Sequence, residues 1–200
     1  RSAQVAVLFD WDSWWALEMS DGPSRRVRYQ QVVLAYHRAL WDANVDIDAV
    51  PVTADLSGYD VVVAPALHMV KGDLAERLTA VAQRGGTVVT TFLSGRVDED
   101  DNAFLADVPG PLAPLVGVRV DEWDAQEADV VNPVVLDDGT GDVGGSVEVA
   151  STLLFELVIP QGAEVVGRYT RDFYAGTAAV TRNPVGDGDA WYVGAGLDAD

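Results

Sequence analysis

Two stretches of this chain, 5–9 (Val-Ala-Val-Leu-Phe) and 61–64 (Val-Val-Val-Ala), are apolar without a break. Strands of that kind have to be covered on both faces, as parallel strands are. Between and after them the hydrophobic spacing changes period. Residues 26–43 place Tyr29, Val32, Val33, Tyr36 and Leu40 along one helical face, with Ser24 or Asp21 in position to cap the helix. Residues 72–84 repeat the spacing with Leu74, Leu78, Val81 and Ala82 until Gly85-Gly86 ends it. With further strands at 47–52 and 87–92, strands alternate with helices, and parallel neighbours need such crossovers. The fold class is therefore α/β, flavodoxin-like with a mostly parallel central sheet, and 1–200 reads as a single domain.

Beyond Gly95 the pattern turns to β. An acidic loop at 97–102 and a Pro-rich segment at 109–114, with room only for a short helix, lead to candidate strands at 118–123, 134–136, 146–150, 163–170, 177–181 and 190–193.

Thirty-two acidic residues against thirteen basic ones give a net charge of −19, which repels phosphate backbones and anionic lipid surfaces; no nucleic-acid or membrane partner is expected. Cysteine is absent, which removes disulfides, thiolate metal sites and Cys nucleophiles, and suits a cytoplasmic setting. The chain starts Arg1-Ser2-Ala3 without an initiator Met and reads as a piece of a longer protein, or as a processed mature chain.

Several motifs fail on their context. Gly139-Thr-Gly-Asp-Val-Gly144 has the letters of a dinucleotide fingerprint, but it runs into a strand rather than opening a helix, and reads as an acidic hairpin turn. Asp98, Asp100 and Asn102 have the spacing of a calcium loop, but Ala103 stands where Gly is needed and Pro109 where the last ligand belongs. Asp10, Asp12 and Glu18 supply carboxylates of the kind a glycosidase pairs, yet an acidic chain offers many such pairs. No metal and no cofactor are expected. Leu93-Ser94-Gly95 follows a strand where a nucleophile elbow would project a side chain, which makes Ser94 a candidate hydroxyl nucleophile with only His37 and His68 as bases. Trp11, Trp14 and Trp15 follow the first strand and read as a loop; aromatics so concentrated anchor an interface, stack on sugars or plug a local core. Besides an assembly role, a Ser-dependent hydrolase and a sugar-binding module both stay open on these residues.

The order of these segments resembles a known family. Residues 5–18 (VAVLFDWDSWWALE), 36–41 (YHRALW), 61–66 (VVVAPA), 85–91 (GGTVVTT), 111–122 (PLAPLVGVRVDE), 173–183 (FYAGTAAVTRN) and 188–194 (GDAWYVG) are similar to the trimerisation domain of glycoside hydrolase family 42 β-galactosidases. The resemblance implies the middle domain of a longer enzyme. A TIM barrel before it would carry both catalytic glutamates, a small β domain would follow it, and homotrimer formation would be its task. It also implies a class I glutamine amidotransferase-like sandwich whose catalytic Cys is missing, with Leu93, Ser94 and Gly95 as a degenerate elbow. Trp11, Trp14, Trp15 and Glu18 become candidates for the interface or for lining the galactoside cleft of a neighbouring subunit. For 151–160 the family pattern leads one to expect a more polar, helical segment.

Overall fold

The computed structural model describes residues 3–19, 24–127, 129–137 and 146–197; the fingerprint at Gly139–Gly144 and the candidate cap Asp21 lie outside them. Strand β1 (Val5–Phe9) lies between β2 (Ile47–Pro51) and β3 (Val61–Ala64), both parallel to it, and β4 (Thr87–Thr91) follows β3 in the same sense. Directly after β1 comes helix α1 (Trp11–Met19). The crossovers are α2 (Tyr29–Asp42) and α3 (Leu74–Gln83). Alternation along β1 assigns the two faces. Ala6 and Leu8 pack with Leu74, Leu78 and Val81 of α3, whereas Val7 joins Leu17 of α1 and Tyr29 and Val33 of α2.

Helix α2 starts with its hydrophobic pattern at Tyr29, later than the expected start at residue 26. Arg28 is extended at its N-cap, and no side chain caps the helix; the Ser24 hydroxyl accepts from Arg26 N–H (3.2 Å) in the preceding turn instead.

The expectation of a mostly parallel sheet is corrected. After β4 the sheet continues with β11 (Gly188–Val193), again parallel, and then runs antiparallel through β10 (Ala178–Val185), β9 (Glu164–Tyr169), β6 (Val134–Asp137) and β7 (Ser146–Val149). Short connections explain the change, since β9, β10 and β11 follow one another through turns too short for a crossover. The Pro-rich segment forms a 3-10 turn (Gly110–Leu112) running into α4 (Ala113–Val116).

Two other expectations are overturned. The tryptophans do not lie in a loop, because Asp10 caps their segment and starts α1. Residues 151–160 are not helical; they form the ten-residue strand β8 (Ser151–Pro160). It pairs antiparallel with β5 (Val118–Asp124) and with the three-residue β12 (Ala195–Leu197). Thr152, Phe155, Val158 and Ile159 favour extended backbone, and burial of Leu154, Phe155 and Val158 supplies packing that outweighs any helical preference. Among the described residues no helix is long and apolar enough to cross a membrane.

The end of β4 is held against the Pro-rich turn at a point where only glycine fits. Gly95 has φ +65°, and a Cβ there would lie 2.0 Å from the carbonyl oxygen of Pro109. We expect Gly95→Ala to cost about 3 kcal/mol or more in denaturant unfolding, since both backbone strain and a clash are introduced. Gly58→Ala, with open space around the new methyl, should stay within about 0.5 kcal/mol of wild type.

Candidate functional site

The aromatic segment is set by a buried acid. Asp10 closes β1, and its Oδ2 accepts from the N–H (3.0 Å) and hydroxyl (2.7 Å) of Ser13, which makes it the N-cap of α1. Its Oδ1 accepts from Lys71 Nζ at 2.6 Å, and the same ammonium reaches Asp12 at 2.6 Å. Ser13 Oγ also accepts from Met69 N–H (3.0 Å), so the loop after β3 is tied to α1 at two points. Burial alone would lower the pKa of Lys71, but the hydrogen bonds to Asp10 and Asp12 outweigh it and keep the ammonium charged above its ordinary range.

This cap fixes how the tryptophans are displayed. Trp14 turns inward against the α2 side of the core, while Trp11 (55% exposed) and Trp15 (52%) stay in solvent with Met19 one turn further on. The Trp11 ring packs edge-on against Phe9 at 5.1 Å and lies 5.2 Å from Trp14, so the exposed rings stand on a rigid aromatic base. Glu18, on the same helix, faces Arg28 at 3.6 Å. Beside Trp11 runs a groove of about 560 Å³ between α2 and β2, lined among others by Phe9, Val33, Leu34 and Pro51. On its other side a more polar recess of about 450 Å³ holds Asp12, Lys71, Asp73 and Arg77.

The segment Leu93-Ser94-Gly95, expected above to be a degenerate elbow, is a separate assembly at the ends of β3 and β4. Leu93, not Ser94, takes the left-handed conformation (φ 63°) that a nucleophile elbow imposes, and its side chain is fully buried. Ser94 is also fully buried, with its hydroxyl accepting from Leu67 N–H at 3.1 Å. Neither histidine hydrogen-bonds it. His37 stacks on Trp41 on α2, and His68 faces Asp101 at 3.9 Å, its pKa lowered by burial and by Arg96. The geometry gives Ser94 neither access to substrate nor a base. In the former calcium-loop segment, Asp98 Oδ1 accepts from the N–H groups of Asp100 and Asn102 and so closes its own turn.

What lies behind the elbow was not visible in the sequence reading. Glu156 of β8 is completely buried; its Oε1 accepts from Leu93 N–H (3.0 Å) and Arg96 Nη2 (3.1 Å), and its Oε2 from the Tyr192 hydroxyl (2.6 Å). The Arg96 guanidinium in turn lies 4.1 Å above the Trp123 ring. A single acid inside the apolar run 153–159 was the available signal for Glu156, and the uniqueness of Lys71 as the chain's lysine was the signal for the α1 tie.

The family described as the β-galactosidase trimerisation domain matches residues 3–200. The β-galactosidase BgaP of Planococcus sp. strain L4 is 42% identical over 199 residues, covering all of this chain and 29% of that protein. BgaB of Geobacillus kaustophilus is 40% identical over 192 residues, 96% of this chain and 27% of that protein. The solved β-galactosidase of Bacillus circulans sp. alkalophilus superposes with a TM-score of 0.93 at 41% identity, over 98% of this chain and 29% of its own. The enzyme of the haloarchaeon Halorubrum lacusprofundi gives 0.89 at 35% identity, over all of this chain and 29% of its own. The chain thus spans under a third of the length of these relatives.

Burial raises the pKa of Glu156 above the ordinary 4.5, and Arg96, Tyr192 and Leu93 N–H offset this only in part. The folded state then holds a proton that the unfolded chain releases, so this group's contribution to stability is complete below about pH 4.5 and is lost as pH rises through the folded value. Glu156→Gln lacks that titration. Urea unfolding of both proteins across pH should show the stability advantage of wild type over Glu156→Gln shrinking as pH rises above about 4.5. An advantage that grows with pH would mean that Arg96 holds the acid ionised.

Proposed function

The chain belongs to the β-galactosidase trimerisation domains of glycoside hydrolase family 42, and on that premise we propose that it acts as the single, non-catalytic assembly domain of a longer cytoplasmic β-galactosidase. In this reading it holds three copies together, and a TIM barrel of the same protein hydrolyses terminal β-D-galactosides. The observation that carries the reading is α1, a helix clamped at its N-terminus by Asp10, Ser13 and Lys71 that leaves Trp11 and Trp15 half exposed on a packed aromatic base. Pre-organised tryptophans of that kind concentrate binding free energy in protein contacts. The same reading makes Trp11, Trp15 and Glu18 border the galactoside cleft of a neighbouring subunit. It also takes the fold as amidotransferase-like with a disarmed elbow, in which the left-handed residue, Leu93, carries no nucleophile.

Light scattering tests the assembly. The chain has a mass of 21.3 kDa, so a self-sufficient trimer reads three times that, and a monomer would assign the contacts to the rest of the protein. Because each copy carries a net charge of −19, assembly should tighten as salt screens the repulsion. In the full-length enzyme, replacing Trp11 and Trp15 together with Ala should raise KM for a galactoside or weaken the trimer at least ~10-fold. Unchanged kinetics together with an unchanged trimer would remove the role given to α1.

A further inference from the structure

Three copies related by a closed rotation meet through heterologous contacts, in which one patch of a subunit meets a different patch of the next. The α1–α2 face is one patch. Its groove beside Trp11 is walled by Val7, Val33, Leu34 and Pro51, and Leu34 stands 63% exposed on its rim. A trimer needs a projection elsewhere on the same chain to meet it, and among the exposed apolar side chains of the described residues one stands on a hydrogen-bonded hairpin away from this face.

That projection is Phe173, 76% exposed at the tip of the β9–β10 connection. The connection is rigid. Its backbone closes through Gly176 N–H to Tyr169 O (2.8 Å), Ala175 N–H to Asp172 O (3.1 Å) and Thr177 N–H to Tyr174 O (3.0 Å). Asn132 anchors it from the side, donating to Arg171 O (3.0 Å) and accepting from Arg171 N–H (2.9 Å). The Phe173 ring stands edge-on to buried Tyr174 at 4.9 Å. An exposed ring held this firmly loses little conformational freedom when it is covered.

Position and charge agree with this. The groove lies at the β2 edge of the sheet, whereas β9 is six strands along from β2, so knob and groove are well separated, as a heterologous contact requires. Residues 168–177 carry Arg168 and Arg171 against Asp172, a cationic segment in a chain of net −19, and it is therefore among the segments least repelled by another copy. Resting on the assembly reading above, we propose that the Phe173 hairpin of each subunit inserts into the α2–β2 groove of the next, so that three such contacts close the ring.

The test uses two surface variants of the full-length protein, Phe173→Asp, which breaks the knob, and Leu34→Arg, which blocks the groove. Both sites are exposed, and circular dichroism should report wild-type folds. Each variant alone should be monomeric by light scattering at concentrations where wild type is trimeric, with at least ~30-fold weaker association. Mixed one to one, they retain one intact knob and one intact groove between them, and should form a dimer that goes no further. A trimeric Phe173→Asp or Leu34→Arg beside a trimeric wild type overturns the knob-and-groove contact alone, including the case in which another domain of the same chain fills the groove. Monomeric variants whose mixture stays monomeric overturn the pairing of these two patches. A wild type that never trimerises overturns the assembly reading itself.

Discussion

The buried carboxylate of Glu156 joins the two halves of this fold. It sits in an antiparallel strand of the β-rich half, yet its three donors are the backbone of Leu93 at the end of β4, the side chain of Arg96 just beyond, and the hydroxyl of Tyr192 in β11. The backbone repeats the connection, with Glu156 N–H donating to Gly194 O at 2.7 Å and Tyr169 Oη bridging Glu156 O and Gly194 O. An isolated carboxylate in such a place would cost several kcal/mol, and this one is tolerated because each oxygen has a donor. Its contribution is therefore less to net stability than to register, since only one docking of β8 on the parallel sheet satisfies the acid.

That interaction also shapes the turn after β4. The turn is tight, with Leu93 left-handed and Gly95 wedged against Pro109. The left-handed Leu93 is held in place because its N–H is committed to Glu156 and its side chain fills the core on the α2 side. Ser94 is held in the same way by Leu67 N–H. Glu156, Arg96 and Tyr192 close the space behind the turn.

The parallel half was legible because its signals are local. Continuous apolar runs gave β1 and β3, and helical spacing ended by Gly85-Gly86 gave α3 to within two residues. What stayed illegible depends on partners far away in sequence. The tryptophan segment was read as a loop although Trp11, Trp14, Trp15 and Glu18 have helical spacing; the cap that starts the helix involves Asp10 and Ser13, but the tie that secures it comes from Lys71. For 151–160 the family pattern led to a more polar, helical expectation, and within the strand that forms instead Glu156 has no local reason to sit among apolar neighbours. Its donors lie 36 to 63 residues away. Phe173 drew attention only as part of a motif, and its significance comes from an exposure that sequence does not encode directly.

Charge sets the remaining constraint on how such a chain associates. Copies carrying −19 each repel at long range, so whatever holds them must act at short range and without relying on opposite net charges. Aromatic burial meets that requirement, being roughly proportional to area and indifferent to sign. Trp11, Trp15 and Phe173 stand on elements whose backbones are tied down, α1 by Lys71 and the β9–β10 connection by Asn132. Free side chains on mobile loops would give back much of the same burial as ordering entropy. In the proposed assembly the two ties would do what Glu156 does for the fold: a polar interaction of modest net stability decides where the apolar surface is presented.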